Sequence, residues 1–431
     1  MNKWIQSKQD LLKSVTFMER LKQDKGIREL ATSPILLTLL CLVFEESGTF
    51  PANRSELYNE GLDVLLKKWD VKRNIERDQV YKQLSLKRKE DLLSQIAINT
   101  FEPGNYFFKQ KEVEREINDY IRNLPGANIE ENALQTDSEA VLKSIEAQHG
   151  LLIERARGIY SFSRLTIHEY FTERKLVSSV KSDIFSTRLL PHLYDKRWRE
   201  VFLLITGMLE SADNLLLTTK QQIDELVKDD ENIQQFLVWA ERKTASVDVS
   251  PYKPAAVRAF YFSRAVYRTL DFTLSHSIDH AFDSSHSPDF TLDLALGLEL
   301  ARARSLDLNF FYELDQNLTH ILGLARSRNP LFARALQAMK WQLPSTSNTS
   351  KKQVTQWWTE SMRSWTRELR ALTIQHRDIE HDWNFNLEQK ALLQQYYNAN
   401  QLLVDCLNSD CYISRSARHD IEIGLLLPRR M

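Results

Sequence analysis

Glycine is scarce in this chain, with 11 residues among 431, whereas the usual share is roughly 7%. No two glycines are five positions apart and none precedes a lysine, so the sequence has no Walker A loop of the form Gly-x-x-x-x-Gly-Lys-Ser/Thr. No two are two positions apart either, which excludes the Gly-x-Gly-x-x-Gly fingerprint. Both common phosphate-binding loops are therefore missing from the sequence.

Cysteines, long apolar runs and excess charge are also in short supply. The three cysteines, Cys41, Cys406 and Cys411, cannot all pair, which favours reduced thiols in a cytoplasmic protein. The N-terminus is polar, and the longest apolar run, residues 35–44, is shorter than the roughly 20 residues of a membrane-spanning helix. Lys plus Arg total 57 and Asp plus Glu 58. The balance of charge argues against nucleic-acid binding over the whole surface, and the short apolar run argues against a membrane partner.

The residues that are abundant, among them Leu, Ala, Glu, Lys, Gln and Arg, favour helices. In SPILLTLLCLVFEESG, Ser33 fits an N-cap, Pro34 the first helical position and Gly48 the residue after the last turn. More helical patterns follow up to Gly150. This part of the chain therefore predicts a series of short, well-delimited helices.

The pattern changes after Gly150. Two short runs, 151–154 and 159–163, flank Ala-Arg-Gly at 156–158, which is a hairpin signal. Several helices followed by one hairpin predict a winged-helix domain. Thr166 and Glu169 have the spacing of a capping box and predict the start of the next helix.

Helical patterns continue beyond residue 185. Leu292, Leu296 and Leu300 are four apart, which favours a helix over the strand that the alternating leucines of TLDLALGLELARARSLDL would also fit. Residues 344–352 predict a linker. The sequence thus predicts a mainly α chain, with a partial helical domain at 1–50, a winged-helix domain with a small β-hairpin at 51–182, a helical domain at 183–343 and a helical C-terminal segment at 353–431.

Histidines supply the few candidate metal ligands. His168 and Glu169 could begin a helical zinc-protease motif, but the second histidine would stand at position 172, which is Thr172. His276 and His280 are four apart and His286 follows, a spacing that can bind zinc. The alternative for these three is the polar end of a helix that runs into a loop.

Two stretches resemble a known family. LATSPILLTLLCLVFEESGTFPANRSELYNEGLDVLLKKWD, at 30–70, resembles the segment after the nucleotide-binding core of bacterial NACHT-family proteins. These are STAND-class signalling ATPases related to NOD-like receptors. FSRLTIHEYFTERKLV, at 162–177, is similar to the Phe-x-His-x-Thr-Phe-Gln-Glu-Tyr-Phe element that ends their winged-helix domain. The C-terminal helices resemble a domain attached to one NACHT subgroup.

The resemblance implies roles for two residues. The family histidine of Phe-x-His contacts a phosphate of bound ADP and helps to hold the closed state; this position is Arg164 here, and His168 stands where the family usually has Gln. Pro34 matches the proline that packs on the adenine. Arginine can pair with a phosphate but cannot switch by protonation. ATP or ADP and Mg²⁺ are implied for the family's full-length proteins, and no cofactor is expected in this chain alone.

The resemblance also predicts the function. We expect the regulatory and sensing half of a NACHT-family NTPase that signals in phage defence, is not itself catalytic, and is either a truncated product or a chain whose motor lies elsewhere. Its expected partners are proteins, a NACHT core in cis or trans, or further copies of itself. The alternatives are an autonomous helical binding or scaffold module that contacts nucleic acid through the winged helix, and a metal-dependent enzyme.

One helix carries a further expectation. Residues 34–47 are apolar on nearly every side, which predicts packing partners all round. Without a NACHT core to cover it, this helix should make the chain self-associate, and removal of residues 1–50 should relieve that.

Overall fold

The fold is that of a computed structural model, which describes residues 8–23, 27, 28, 31, 34–51, 56–64, 84–124, 130–178, 188–248, 250, 252–267, 273–280, 288–305, 311–344, 350–409 and 411–428. The strands are β1 (Phe108–Lys109), β2 (Leu152–Ala156) and β3 (Ile159–Phe162). The first helices are α1 (Lys8–Gln23), α2 (Pro34–Ser47), α3 (Leu86–Phe101), α4 (Gln110–Arg122), α5 (Glu131–His149) and α6 (Leu165–Ser178). Residues 56–64 are also helical.

The remaining helices are α7 (Arg199–Met208), α8 (Asp213–Val227), α9 (Glu231–Ala245), α10 (Pro254–Tyr267), α11 (Thr273–Ile278), α12 (Pro288–Ser305), α13 (Phe311–Arg328), α14 (Pro330–Trp341), α15 (Lys351–Arg377), α16 (Leu387–Asn408) and α17 (Arg415–Gly424). The chain divides into two compact units, residues 1–219 with 405–414, and residues 220–404 with 415–431. No helix in the described ranges is long and apolar enough to cross a membrane.

A winged helix occupies the middle of the first unit. Its elements follow in the order α3, β1, α4, α5, β2, β3, and the antiparallel sheet has the order β1-β3-β2. Phe108 pairs with Tyr160, and Leu152 pairs with Phe162. The predicted hairpin and the predicted mainly α class are confirmed. The two-residue strand β1 was not predicted, because it is too short to show a period.

The apolar helix α2 packs into the same core as the winged helix. Gly48 ends it in a left-handed conformation (φ 71°), with its N–H 3.0 Å from Phe44 O. Its buried side chains are Leu36, Leu39, Leu40, Val43 and Phe44. Leu37, Cys41 and Leu42 are half-buried. The chain itself therefore covers much of the helix that the sequence predicts to need partners on nearly every side.

Gly61 permits a close approach to α2. A Cβ placed on Gly61 would lie 2.9 Å from Leu39 Cβ, closer than side-chain carbons pack. The helical stretch 56–64 can therefore lie directly on α2 only because position 61 has no side chain. This contact joins the first apolar helix to the winged-helix core.

Four helices, α12 to α15, share a core in the second unit. Leu292, Leu296 and Leu300 are fully buried on α12, which confirms the helix predicted from their spacing. Within the predicted linker at 344–352, residues 345–349 lie outside the described residues. Its predicted end is wrong by two residues, because Ser350 caps α15 and Lys351 already begins that helix.

Buried charges connect helices of the second unit. Arg377 Nε lies 2.6 Å from Asp293 Oδ1, and Lys243 Nζ lies 3.0 Å from Asp293 Oδ2. Arg377 also pairs with Asp289 at 2.9 Å, and the Tyr261 hydroxyl donates to Asp293. Two cations thus balance two carboxylates in a place where an unpaired charge would cost several kcal/mol.

The capping box predicted at Thr166 and Glu169 is wrong. Helix α6 begins at Leu165, and its first hydrogen bond runs from His168 N to Arg164 O at 3.2 Å, so Arg164 occupies the N-cap position. Thr166 lies inside the first turn, and its Oγ1 has no hydrogen-bond partner among the described residues. The helix starts early because Ser163 is fixed to the sheet by a hydrogen bond from its N–H to Leu151 O.

Candidate functional site

Arg164 stands on the surface at the junction of the wing and α6. Its side chain is exposed, and within the described part of the chain it makes no hydrogen bond or ion pair. Leu165, the next residue, is 51% exposed. The junction therefore presents one permanent positive charge that the described residues leave available to an anion.

The backbone beneath Arg164 is held firmly. Arg155 on β2 donates from Nε to Ser161 Oγ and from a guanidinium nitrogen to Ser163 O, both at 2.9 Å. At the wing turn, Gly158 has φ 71°, and its N–H donates to Glu154 Oε1 at 2.7 Å. The hairpin thus fixes the point from which the Arg164 side chain projects.

His168 fastens the other side of the junction to the core. Its Nε2 lies 3.0 Å from Ala97 O and 2.9 Å from Thr100 Oγ1. Because a carbonyl only accepts, the hydrogen-bond network assigns the proton to Nε2. The ring stacks on Phe162 at 4.5 Å, and burial lowers the histidine pKa to about 4. His168 is therefore a neutral core residue, in line with the structural interpretation of the His-Glu pair.

A second polar cluster on α6 could not be read from the sequence. Arg174 donates to Asn59 Oδ1 at 3.1 Å and to the Tyr170 hydroxyl at 2.9 Å, and it forms an ion pair with Glu90. The Tyr170 hydroxyl donates to Asn59 at 2.6 Å. Burial, followed by hydrogen bonding to Asp63, raises the pKa of Glu90 to about 7. The cluster ties residues 56–64 and α3 to the helix that carries the junction.

Glu173 is the most unusual acid in this unit. It is fully buried, and neither carboxylate oxygen has a hydrogen-bond partner among the described residues. Burial raises its pKa well above the ordinary value, although Arg174 opposes the shift. The side chain is therefore a neutral carboxylic acid under conditions in which an exposed glutamate is ionised.

The remaining sequence candidates stay predictions. Pro34 is the first residue of α2, and the surroundings of its side chain lie outside what the structure describes. His276 lies on α11 and His280 just after it, both exposed, whereas His286 is beyond the described residues. Within the described ranges, no three His, Cys, Asp or Glu side chains come together as a metal site.

The charge of helix α5 indicates whether the winged helix suits nucleic acid as a partner. In helix-turn-helix proteins the second helix of the pair enters the major groove, and α5 holds that place here. It has four carboxylates, Glu131, Asp137, Glu139 and Glu146, and one lysine. That lysine, Lys143, already pairs with Glu139 at 2.6 Å. An acidic helix at this position is unsuited to a phosphate backbone.

Two parts of the chain match known domain families. Residues 54–176 match the family profile described as the winged helix-turn-helix domain C-terminal to NACHT. Residues 332–428 match the profile described as NACHT C-terminal helical domain 2. No curated protein and no solved structure matches the chain. The chain is thus a mainly helical protein with a winged-helix domain. It carries two domains of the kinds that lie C-terminal to NACHT in NACHT-family proteins.

Proposed function

We propose that this chain is the regulatory and sensing part of a NACHT-family signalling NTPase, without catalytic activity of its own. Arg164 contacts a phosphate of ADP that a NACHT core binds, and so favours the resting state. The helical region around α13 to α17 receives the trigger. Defence against phage is the setting that the family resemblance suggests.

The observation that carries the proposal is the junction at Arg164. The family resemblance assigns a phosphate contact to this position, and the side chain here is an exposed cation on a rigid backbone. A guanidinium suits a phosphate because it offers paired N–H donors in one plane. Since the chain has no Walker A loop, the core must hold the rest of the nucleotide and the magnesium ion.

Nucleic-acid binding through the winged helix has less support. Helix α5 carries four carboxylates, whereas binding to a phosphate backbone usually needs lysine and arginine. A protein partner therefore suits the winged helix better than DNA or RNA. The metal-dependent alternative rests on His276 and His280, together with a third histidine outside the described residues.

The test joins the chain to the nucleotide-binding core of a related NACHT protein and measures ADP affinity by calorimetry. Arg164→Ala should weaken ADP binding by about 1.5–3 kcal/mol, the range for a hydrogen bond to a charged group. Arg164→His tests whether histidine, the residue that the family usually has at this position, supports ADP binding as well as arginine does. Arg157→Ala at the exposed wing turn is the matched control and should leave affinity unchanged. Equal ADP affinity in all variants would remove Arg164 from the proposed role.

A further inference from the structure

Acidic residues are absent from one long stretch of the chain. Between Asp315 and Glu360 there is no Asp or Glu, while six Lys and Arg residues occur. The whole chain is nearly neutral, with 57 basic and 58 acidic residues, so this segregation creates a local excess of positive charge. Such an excess attracts and orients an oppositely charged partner.

The turn between α13 and α14 concentrates this charge. Helix α13 ends at Arg328 and α14 begins at Pro330, with only Asn329 between them. Asn329 Oδ1 accepts from Phe332 N at 3.0 Å, and Asn329 N donates to Ala325 O at 2.8 Å. The turn is therefore tightly held by both helices. We call its surface the arginine tip, which consists of Arg326, Arg328, Leu331 and Arg334.

The guanidinium groups of the arginine tip are accessible to a negatively charged partner. All three arginines are exposed. Arg328 and Arg334 make no hydrogen bond or ion pair within the described ranges, and Arg326 reaches only Gln337 Oε1, at 3.5 Å. Lys340, by contrast, is engaged with Asp315 at 3.2 Å. The tip therefore offers cations that intramolecular carboxylates do not already neutralise.

Leu331 distinguishes between classes of partner. It is 67% exposed and lies between Arg328 and Arg334 in the sequence, although its apolar sequence neighbours Phe332 and Leu336 are fully buried. A phosphate backbone gains little from an exposed leucine, whereas protein interfaces combine arginine with a central apolar contact. Bidentate pairing also suits carboxylates. The combination favours an acidic protein segment over nucleic acid.

We propose that the arginine tip binds a partner-protein segment in which carboxylates flank an apolar side chain. The carboxylates pair with the guanidinium groups, and the apolar side chain covers Leu331. This deepens the proposed sensing role and depends on it for its biological meaning. It involves neither nucleotide nor Arg164, so loss of peptide binding and loss of the ADP contact are separate results.

The experiment measures fluorescence anisotropy of a labelled peptide in which glutamates flank a leucine, titrated with the full chain at low and physiological salt. The variant Arg326→Gln/Arg328→Gln/Arg334→Gln should lose affinity by about tenfold or more, because three ion pairs and their long-range attraction for the peptide are removed. Leu331→Ser should weaken binding by about threefold or more. The same peptide with glutamine for glutamate should not bind.

The matched control is Arg363→Gln/Arg367→Gln on α15, two exposed arginines without an ion pair among the described residues. It removes charge from the same unit and should stay within about twofold of the wild type. Circular dichroism confirms that each variant is folded. The proposal is overturned if the triple variant binds the peptide as the wild type does. It is equally overturned if only oligonucleotides bind, or if the tip instead mediates self-association that the triple variant abolishes.

Discussion

At position 173 a carboxylic acid lies in the core of the first unit without a hydrogen-bond partner among the described residues. Its folded-state pKa is raised, so on raising the pH the unfolded chain loses this proton first. The contribution to stability is therefore complete below the unfolded pKa of about 4.5 and falls as the pH rises towards the folded pKa.

Glu173→Met removes both the unpaired oxygens and this pH dependence. We expect the variant to be more stable at neutral pH by about 1–3 kcal/mol, the cost of an unsatisfied buried polar group. Thermal unfolding at pH 5 and pH 8 checks this, and the gain should be larger at pH 8. Glu139→Gln on the exposed face of α5 should change little. A Met variant that unfolds at a lower temperature would mean that Glu173 has an essential partner.

His168, five residues earlier, has the opposite dependence. Its folded pKa of about 4 lies below the unfolded value of about 6.5. The contribution of His168 to the free energy of unfolding is complete above pH 6.5 and is lost as the pH falls towards 4. This loss is at most about 3 kcal/mol. His168→Gln keeps an N–H donor but cannot be protonated, so its unfolding temperature should fall less between pH 7 and pH 5. Parallel curves for the two proteins would contradict the depressed pKa.

The sequence indicates where the junction between the wing and α6 lies, but it does not reveal the residues that hold this junction in place. Resemblance alone directed attention to Arg164, and the missing second histidine at Thr172 already argued against a zinc motif at His168. The hydrogen bonds of His168 reach Ala97 and Thr100, about seventy positions away. No local pattern marks such partners, and the same holds for Asn59 and Arg174, which lie 115 positions apart.

At the scale of elements, Gly61 decides how closely two helices pack. Gly61→Ala would place a carbon 2.9 Å from Leu39, so we expect a loss of about 1–3 kcal/mol, as for an overpacked core. Gly323→Ala on α13 is the control, because a Cβ there meets nothing within 4 Å. It should stabilise the helix by about 0.5–1 kcal/mol. Denaturant unfolding with the same sign for both variants would contradict the close contact.

Capping residues, hydrophobic spacing and turn residues predict helices and strands correctly where these local patterns are clear. Pro34 and Gly48 delimited α2, the leucine spacing identified α12, and turn residues located the hairpin. The start of α6 was misplaced, because a bond from Ser163 to Leu151 sets it, and the capping pattern at Thr166 carries no information about that bond. Strand β1 exists only through its pairing with β3, which lies about fifty residues further on.

For the whole molecule, the absence of a Walker A loop leads to a simple expectation. We expect the isolated 431 residues not to hydrolyse ATP or GTP, because the sequence has no Walker A loop to hold a triphosphate. Turnover that stays above a buffer blank through repeated purification would refute this.

The structure changes the expected effect of removing the first fifty residues. Helix α2 contributes four buried side chains, Leu36, Leu39, Leu40 and Val43, to the core that it shares with the winged helix. Their loss would uncover apolar surface on the winged helix, at about 1.5–3 kcal/mol for each large side chain. We now expect a chain that starts near Pro51 to aggregate more than the full chain. Light scattering on both chains measures this aggregation. A short chain that aggregates less than the full chain would contradict the expectation.

The central claim is that these domains regulate a nucleotide-binding core. The most direct measurement is the rate at which labelled ADP leaves a related NACHT core, with and without this chain joined to it. The account predicts that the chain slows release by about tenfold or more, and that Arg164→Ala gives back much of that effect whereas Arg157→Ala does not. Identical release rates for the core alone and the joined protein would contradict the account.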